Sequence, residues 1–366
     1  MGKRKLTGIA NLGNTCYMNS ALQCGVIACG PLAEFFLSDS FLAALSVPEQ
    51  ESVSKALAWL VGEIQNPDNR GAIYPSMVKS RIDAKLPRFK GTDQHDCSEF
   101  LIELLDCLHM ELSKSSTPPT RSNSLSMLTR SASSLAALSG SISGRSWQAV
   151  NWRSKGEQWW LGQRKQSDSI IKRLFEGAIR SVMTCYKCGG VSARFEAFTS
   201  LILPLTASSS SQHRLGDLIN ELLRPEELDG IDCDFCGRKQ RFHRQIDLWQ
   251  LPPYLIFTIS RFSFDFSARK LANFVDYPTD NLDLEAWIAK EAPLQTSTQY
   301  ELYAVVEHEG TVNRGHYTAL VKVDEQWMTV NDGRTANVPD LSRVVSSNAY
   351  VLFYRWKDST MIDDAF

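Results

Sequence analysis

Residues Asn11–Ser20 read NLGNTCYMNS, a turn rich in glycine and asparagine that leads into a helical pattern at Cys16. From there Met18, Leu22 and Val26 recur every four residues, which predicts a helix with one buried face. A thiol at a helix N-terminus lies near free N–H groups and the positive end of the helix dipole, and both favour the nucleophilic thiolate. Taken alone, the stretch is more typical of a small buried core cysteine. A catalytic role for Cys16 therefore requires partners elsewhere in the chain.

Two later stretches offer such partners. Gly315-His316-Tyr317 contains a histidine, the residue whose pKa suits a general base that activates a thiol. Fifteen residues after His316, Asn331 and Asp332 offer a side-chain oxygen that can hold the other nitrogen of the imidazole. Each piece has an ordinary alternative, because a lone histidine is usually structural and Asn-Asp-Gly is a common turn. The chain order of cysteine, histidine and asparagine is nevertheless that of papain-like peptidases.

Composition restricts the class of protein. The chain has 366 residues, with 39 Lys and Arg against 41 Asp and Glu, so its formal charge is −2. Near-neutral charge argues against bulk nucleic-acid binding and against a polybasic membrane anchor. No apolar run approaches the length of a membrane-spanning helix, and we expect no nucleic-acid or membrane partner. An odd number of cysteines, nine, without a secretory signal predicts a reducing compartment, cytoplasmic or nuclear, rather than a disulfide framework.

Four of these cysteines form two CxxC pairs, Cys185-x-x-Cys188 and Cys233-x-x-Cys236, with 44 residues between the pairs. Four thiolates in two pairs suit one structural Zn²⁺ ion per chain, held tetrahedrally. The long spacing predicts two hairpins joined at their tips rather than a short zinc ribbon. A thioredoxin-like redox motif lacks its βαβ context here and would not explain two pairs. We assign the remaining cysteines to the core: Cys24, Cys29, Cys97 and Cys107.

A second helix is predicted before the middle of the chain. Apolar residues at every fourth position indicate a helix over 96–112, with Thr92 or Asp93 as its cap. Asp96 and Glu99 lie three residues apart, so their carboxylates can point together from one helix face. On the residues alone, this pair is more typical of a solvated face than of a binding site.

The composition changes after this helix. Between Ser113 and Ser146 thirteen of thirty-four residues are serine and few are large and apolar. Such a segment cannot bury enough surface to offset its ordering entropy, and we predict a mobile insertion over 113–168. Four tryptophans, at positions 147, 152, 159 and 160, leave two alternatives open. Either this part packs back on the domain, or it docks on another molecule.

Strand patterns dominate the rest of the chain. Runs of β-branched and aromatic residues predict strands over 255–259, 300–308, 316–323, 326–330 and 349–356, and a short helix is predicted over 215–223. Helices first and antiparallel strands later indicate the α+β class.

Six motifs resemble those of ubiquitin-specific proteases, a family of papain-like cysteine peptidases, and they occur along the chain in the same order as in that family. Gly8–Gln23 closely resembles the family's Cys box. His308-Glu309-Gly310, Gly315-His316-Tyr317, Trp327 and Asn331-Asp332 together resemble its His box. The other matching segments are Gln94–Phe100, Leu251–Leu255, Arg261-Phe262 and Ala349–Tyr354. The resemblance therefore runs from about Gly8 to Tyr354, apart from the serine-rich insertion.

The resemblance implies an α+β, papain-like fold with a helical thumb, an antiparallel β palm and zinc-bearing β fingers. These parts would form a single catalytic domain over 1–366. The thumb with the Cys box would span 8–112, the fingers 169–250 and the palm with the His box 251–357.

The resemblance also implies a role for each candidate residue. Cys16 would be the nucleophile and His316 the general base and then acid. Asn331 would orient the imidazole, with Asp332 sharing or supporting that role. Asn11 would donate a hydrogen bond to the oxyanion that develops on the scissile carbonyl.

The implied activity is hydrolysis of the bond after the C-terminal glycine of ubiquitin, on ubiquitinated proteins or polyubiquitin, through a thioester acyl-enzyme. Asp96 and Glu99 would meet the arginines of ubiquitin's C-terminal tail, and Tyr317 would line a narrow channel for its Gly-Gly end. We expect a monomer. Two alternatives keep the fold: a ubiquitin-binding scaffold without turnover, and a peptidase for a ubiquitin-like modifier.

Overall fold

A computed structural model of the chain describes residues 6–69, 71–113, 127–128, 142–144, 150–205, 212–263, 269–311 and 314–358. The helices are α1 (Cys16–Leu22), α2 (Gly30–Leu37), α3 (Asp39–Ala44), α4 (Val53–Gln65), α5 (Ser76–Lys85), α6 (Cys97–Leu112), α7 (Trp152–Gln166), α8 (Ile170–Phe175) and α9 (Leu215–Leu222). Most of them precede the strands in the chain, which confirms the α+β class. Six of the nine form the thumb.

The strands are β1 (Met127–Leu128), β2 (Ile142–Gly144), β3 (Gly177–Cys185), β4 (Val191–Phe198), β5 (Ser200–Pro204), β6 (Gln212–Arg214), β7 (Glu226–Cys233), β8 (Arg238–Gln250), β9 (Tyr254–Ser260), β10 (Phe262–Ser263), β11 (Arg269–Lys270), β12 (Phe274–Asp276), β13 (Leu282–Asp283), β14 (Gln299–Gly310), β15 (Gly315–Val323), β16 (Gln326–Asn331), β17 (Arg334–Asn337) and β18 (Ala349–Trp356). The predicted strands over 255–259, 300–308, 316–323, 326–330 and 349–356 agree with them within two residues at either end.

The thumb begins with α1, which packs against α6 and against β15 of the large sheet. Met18, Leu22 and Val26 are fully buried, as the four-residue repeat predicts. The helix is not regular over this length, since a π-helical turn over Gln23–Ile27 follows α1. Gly30 then opens α2, with proline at the start of that helix where its missing N–H is harmless.

The palm is a nine-stranded sheet in the order β1-β5-β9-β18-β14-β15-β16-β17, with β13 beside β14. The central pairs are antiparallel, whereas β1 pairs with β5 and β5 with β9 in parallel. The strands of this sheet that lie within the predicted palm range, 251–357, pair in antiparallel fashion as expected, whereas β1 and β5, which precede that range, extend the sheet in parallel. The physical reason is the connection from β5 to β9, which leaves the sheet through the fingers and returns as a crossover of the length that parallel pairing requires.

The fingers form a five-stranded antiparallel sheet in the order β2-β4-β3-β8-β7. The range predicted for the fingers, 169–250, also contains β5, which hydrogen-bonds into the palm. Strands β4 and β5 are separated only by Thr199, yet they belong to different sheets.

Part of the predicted insertion packs back on the domain. Residues 114–126, 129–141 and 145–149, including Trp147, lie outside the described residues. Within the described part, β1 pairs with β5 and β2 with β4. Residues 152–166 form α7, in which Trp152 is buried and Gly156 faces Trp249 of β8. A Cβ at position 156 would lie 2.3 Å from Trp249 Cζ2, so only glycine permits this approach. Of the two alternatives for the tryptophans, the structure favours packing for α7.

Within the described ranges, no single helix has both the length and the apolar composition needed to cross a membrane. One bent pair, Cys16–Ile27 with Gly30–Leu37 at 86°, meets that test only when its two helices are taken together.

Candidate active site and metal centre

Cys16 is placed at the start of α1 by the turn that precedes it. Gly13 and Asn14 have φ angles of 104° and 52°, the left-handed conformations that glycine and asparagine adopt most readily. Asn11 Oδ1 closes the turn, because it accepts hydrogen bonds from the N–H groups of Gly13 (2.8 Å) and Thr15 (3.1 Å). The chain thus reverses just before Cys16, whose side chain is 4% exposed.

The pKa of the Cys16 thiol is raised, contrary to the expectation from its helix position. Burial is the largest cause, and the nearby carboxylate of Asp332 acts in the same direction. Hydrogen bonds from backbone N–H groups, that of Tyr317 first, oppose the rise but do not cancel it. The effect of the helix N-terminus is local to Cys16, whereas its burial and the charge of Asp332 come from distant parts of the chain. A general base is therefore needed to deprotonate this thiol.

His316 and Asn331 meet because their strands are antiparallel neighbours. His316 lies at the start of β15 and Asn331 at the end of β16, and the pair Ala319–Val330 sets their register. His316 Nε2 lies 2.8 Å from Asn331 Oδ1. Since an amide oxygen only accepts, this bond assigns the proton to Nε2 and leaves Nδ1 free to accept one. The hydrogen bond that the structure records for the ring goes to Asn331, not to Cys16.

The Asn-Asp-Gly tripeptide is both a turn and part of the site. Asn331 pairs with Arg334 across the hairpin of β16 and β17, and Asp332 has a φ of 49° within that turn. The ordinary reading of this tripeptide as a turn is correct. The turn also places the side chains of Asn331 and Asp332 beside His316.

Asp332 joins the histidine strands to the cysteine loop. Its Oδ2 accepts a hydrogen bond of 2.9 Å from Asn11 Nδ2, and its Oδ1 accepts one of 2.7 Å from Asn19 Nδ2. His316 Nε2 lies 3.9 Å from Asp332 Oδ2. The backbones of Gly8 and Asp332 are also in close contact, since a Cβ at Gly8 would lie 2.5 Å from the Asp332 carbonyl oxygen. Asp332 therefore supports both halves of the site.

The amide of Asn11 has a donor to spare. An asparagine amide carries two N–H bonds, and Asn11 uses one for Asp332. Its oxygen is occupied by the turn before Cys16, which fixes the orientation of the group. Asn11 is exposed, so its second N–H is available to an oxyanion on a ligand.

A cavity of about 140 Å³ opens beside Cys16. The residues that line it are Asn14, Cys16, Tyr17, Gln94, His95, Asp96, Phe262, His308, Gly315 and Tyr317. Two of its walls are aromatic and buried, because the ring of Tyr317 lies 4.6 Å from the imidazole of His308, centroid to centroid. Gly315 is required here, since a Cβ would lie 2.0 Å from His308 Nε2. Tyr317, predicted to line a narrow channel, is one of the residues that line this cavity.

Gln94 and His308 line this cavity and belong to the sequence motifs, in which neither has a predicted role. Gln94 bridges the thumb and the palm: its Oε1 accepts from the Gly315 N–H at 3.2 Å and its Nε2 donates to the Gly315 carbonyl at 3.4 Å. Burial lowers the pKa of His308 to about 4, so its ring is neutral near pH 7. Their positions within the motifs were the only feature of the sequence that could have indicated that Gln94 and His308 belong to the site.

Asp96 and Glu99 lie at the start of α6, and their carboxylates bind different partners. Asp96 caps α6, where its Oδ1 accepts from the N–H groups of Ser98 (2.8 Å) and Glu99 (3.0 Å), and its Oδ2 accepts from Tyr350 (2.6 Å). The predicted caps, Thr92 and Asp93, are therefore wrong, because aspartate before the first helical residue satisfies the free N–H groups best. The Glu99 carboxylate instead pairs with Arg88 at 2.8 Å.

The four CxxC cysteines meet at the tips of the fingers. The sulfur atoms of Cys185, Cys188, Cys233 and Cys236 all lie within 4.8 Å of one another. The two knuckles have matching turns: the N–H of Gly189 bonds to the Cys185 carbonyl and that of Gly237 to the Cys233 carbonyl, each at 2.9 Å. Both glycines have positive φ angles, 68° and 66°. The arrangement can hold one metal ion between two hairpins, as the spacing predicts.

All nine cysteines are free thiols. Cys24, Cys29 and Cys97 are fully buried and Cys107 is partly buried against the core, which agrees with their assignment. Burial raises the pKa of Cys107 to about 12.

Residues 7–354 match the family model described as ubiquitin carboxyl-terminal hydrolase. The chain is 32% identical over 359 residues to human ubiquitin carboxyl-terminal hydrolase 21, covering 95% of this chain and 61% of that protein. It is 32% identical over 356 residues to chicken ubiquitin carboxyl-terminal hydrolase 2, covering 95% of this chain and 93% of that protein. The chain thus spans about three fifths of the length of the hydrolase 21 relatives.

Solved structures support the fold. The SAGA DUB module Ubp8/Sgf11/Sus1/Sgf73 bound to monoubiquitin matches with a TM-score of 0.74 at 22% identity, covering 98% of this chain and 71% of that chain. The same module bound to ubiquitin aldehyde matches with a TM-score of 0.72 at 22% identity, with the same coverage.

Proposed function

The chain belongs to the ubiquitin carboxyl-terminal hydrolase family, and from this premise we propose that it is a deubiquitinating cysteine peptidase. It hydrolyses the bond after the C-terminal glycine of ubiquitin on ubiquitinated proteins or polyubiquitin. The observation that supports this function best is the bond between His316 and Asn331 beside a buried cysteine at a helix start. These are the three groups that a thiol peptidase requires, and they come from opposite ends of the chain.

The first step is formation of a thioester. His316 Nδ1 takes the proton of Cys16, and the thiolate attacks the glycine carbonyl. Asn331 keeps the proton of the imidazole on Nε2 and stabilises the imidazolium that forms. Asn11 donates its second N–H to the oxyanion. His316 then returns the proton to the leaving lysine amine, and the acyl group stays on sulfur.

The second step releases ubiquitin. Water attacks the thioester while His316 accepts its proton, and the thiol leaves as Cys16 is restored. Asp332 keeps Asn11 and the turn after β16 in place throughout, because it binds both Asn11 and Asn19.

The cavity beside Cys16 suits the end of the ubiquitin tail. Its rings, those of Tyr317, His308 and Phe262, leave a narrow space that accepts residues without side chains. Glu99 is 39% exposed and pairs with Arg88, so a tail arginine can replace Arg88 as its partner. Asp96 lines the cavity but is occupied by three hydrogen bonds, which makes it the weaker of the two candidates for binding arginine.

The fingers hold one Zn²⁺ ion. Four sulfur ligands from two knuckles suit tetrahedral zinc better than harder metals, which prefer oxygen. The ion would tie the tip of β3 to the tip of β7, a structural role remote from the reaction.

A ubiquitin probe with a C-terminal electrophile tests the activity. The wild-type chain is expected to form a covalent adduct, detected as a mass increase of one ubiquitin. Cys16→Ala is expected to form none, and Cys107→Ala, which removes a thiol outside the site, is expected to react like the wild type. Equal labelling of wild type and Cys16→Ala, or of neither, would show the proposal to be wrong. Matching probes built on ubiquitin-like modifiers decide which modifier is preferred, and tight ubiquitin binding without hydrolysis of any linkage would favour a scaffold.

A further inference from the structure

The cavity lies on one side of Cys16, and a different set of residues lies on the other side. The cavity on one side is lined by Gln94, Tyr317 and their neighbours, whereas Asn11 and Asp332 lie outside it. If the tail of ubiquitin fills the cavity with its last carbonyl at Cys16 and Asn11, the chain beyond the scissile bond departs past Asn11 and Asp332. This path of the departing chain rests on the function proposed above.

A loop of the thumb borders the path by which the chain beyond the scissile bond leaves the active site, called the exit below. Ile73 pairs with Ile9: its N–H bonds to the Gly8 carbonyl at 2.9 Å, and its carbonyl accepts from the Ala10 N–H at 2.8 Å. On the other flank, a Cβ at Gly333 would lie 2.8 Å from Ala72 Cβ. Ile73 therefore contacts the loop that leads to Asn11, and Ala72 lies against the turn that follows Asn331.

The next residue of that loop is unusually exposed. Tyr74 is 70% exposed, although it directly follows Ile73, which is buried at 8%. Met77, at the start of α5, is 40% exposed. Exposed aromatic side chains are more frequent at binding surfaces than elsewhere on a protein. An exposed tyrosine next to a catalytic loop is thus suited to contact a substrate.

A positive charge borders the exit from the other side. Arg334 lies directly opposite Asn331 in the antiparallel pair of β16 and β17, so both side chains project from the same face of the sheet. All four residues of β17 are exposed. In the part of the chain that the structure describes, Arg334 takes part in no ion pair. Its charge is available to a carboxylate on a partner.

We propose that Tyr74 and Arg334 form a recognition surface for the leaving polypeptide, the chain that carries the modified lysine. Tyr74 packs on residues beside that lysine, and Arg334 selects an acidic residue among them. The surface is continuous with the active site through Gly333 and Ile73, which is why the leaving chain is its occupant. It determines which conjugates are cleaved without taking part in the chemistry.

Two kinds of leaving group test the proposal. Ubiquitin aminocoumarin amide has a small leaving group that cannot reach Tyr74 and Arg334 together. Ubiquitin joined through an isopeptide bond to a ten-residue peptide has a polypeptide leaving group, made in two versions with Glu or Lys on both sides of the modified lysine. kcat/KM is measured for all three substrates.

For Tyr74→Ala we expect the ratio of kcat/KM for the Glu peptide substrate to that for the aminocoumarin substrate to fall about tenfold, the effect of losing one hot-spot residue. Arg334→Glu is expected to reverse the preference, so that the Lys peptide becomes the better substrate. Leu294→Ala, which removes a side chain that is 96% exposed elsewhere on the surface, serves as the control and leaves every ratio unchanged.

Unchanged ratios for both Tyr74→Ala and Arg334→Glu would overturn the proposal, as would an equal loss with all three substrates, which would indicate a structural role. These outcomes differ from failure of the proposed function, in which the wild-type chain would not cleave the aminocoumarin substrate at all.

Discussion

The side-chain amide of Asn11 donates a hydrogen bond of 2.9 Å to the carboxylate of Asp332, 321 residues further along the chain. Asn19 donates to the same carboxylate at 2.7 Å. One carboxylate thus joins the loop before Cys16 to the turn after Asn331. Because the bond fixes the Asn11 amide before substrate arrives, that amide needs little reorganisation to act as an oxyanion donor.

Loss of the Asn11 donor is expected to slow the chemistry more than the binding. For Asn11→Ala we predict a kcat about a hundredfold lower with KM little changed, since an oxyanion bond is made mainly in the transition state. Steady-state kinetics with ubiquitin aminocoumarin amide measure both constants. Asn337→Ala, which truncates an exposed asparagine of β17, is the matched control. A normal kcat in Asn11→Ala would exclude the role.

The carboxylate of Asp332 is expected to make Cys16 less reactive at low pH. It raises the pKa of the thiol, so Asp332→Asn lowers that pKa and shifts the rate of alkylation by iodoacetamide to lower pH. The rate is followed from pH 5 to pH 10 by mass spectrometry. Asp276→Asn, at an exposed position of β12, is expected to keep the wild-type profile. A shift of Asp332→Asn towards higher pH would contradict the assigned cause.

The zinc site is expected to contribute to stability but not to bond cleavage itself. We predict about one zinc per chain by elemental analysis and none in Cys188→Ser. At free zinc about a hundredfold above its Kd, loss of binding lowers the free energy of unfolding by about 3 kcal/mol, measured by denaturant titration. Cys107→Ser, which changes a thumb cysteine, should retain the metal. A folded wild-type chain without metal would disprove the site.

Helix α7 offers a paired test of packing. A Cβ at Gly156 would lie 2.3 Å from Trp249 Cζ2, whereas a Cβ at Gly162 of the same helix meets nothing within 4 Å. We expect Gly156→Ala to destabilise the protein by about 1–3 kcal/mol through overpacking. Gly162→Ala should stabilise it by about 0.5–1 kcal/mol, because alanine favours helix. Thermal unfolding measures both, and equal effects would mean that α7 does not pack on β8.

Burial of His109 predicts a loss of stability in acid. His109 lies between two serine hydroxyls, with Nδ1 at 2.8 Å from Ser169 Oγ and Nε2 at 3.3 Å from Ser167 Oγ. Burial, and then the charge of Lys172, lowers its pKa from 6.5 to about 4. Between pH 6.5 and pH 4 His109 is protonated in the unfolded chain but neutral in the folded chain. The free energy of unfolding therefore decreases as the pH falls through this range.

His109→Gln removes that titration. The free energy of unfolding of the variant should therefore decrease less than that of the wild type over the same range of pH. Denaturant titrations at pH 7, 6, 5 and 4 provide the comparison. Parallel curves for the two proteins would show that His109 does not contribute to the acid sensitivity.

Much of the fold was predictable because its signals are local. The strand over 349–356 and the helix over 96–112 follow from periodicities that lie within single elements. Parallel pairing of β5 with β9 was not predictable, because a strand's own residues do not specify its neighbour's direction. The cap of α6 was misassigned for a similar reason: the choice between Asp93 and Asp96 depends on where helical geometry begins, to within a few residues.

The sequence by itself determined which chemical groups the protein has and which motifs contain them: the thiol of Cys16, the imidazole of His316 and the two CxxC pairs. Only the tertiary structure decided the pKa values and the orientations of the groups in the site. The pKa of Cys16 is raised rather than lowered, because desolvation and the charge of Asp332 depend on what surrounds the thiol in space. The amide of Asn11 acquires its orientation from the same distant carboxylate. The chemical groups are properties of the individual residues, whereas their burial and electrostatic environment are properties of the folded chain.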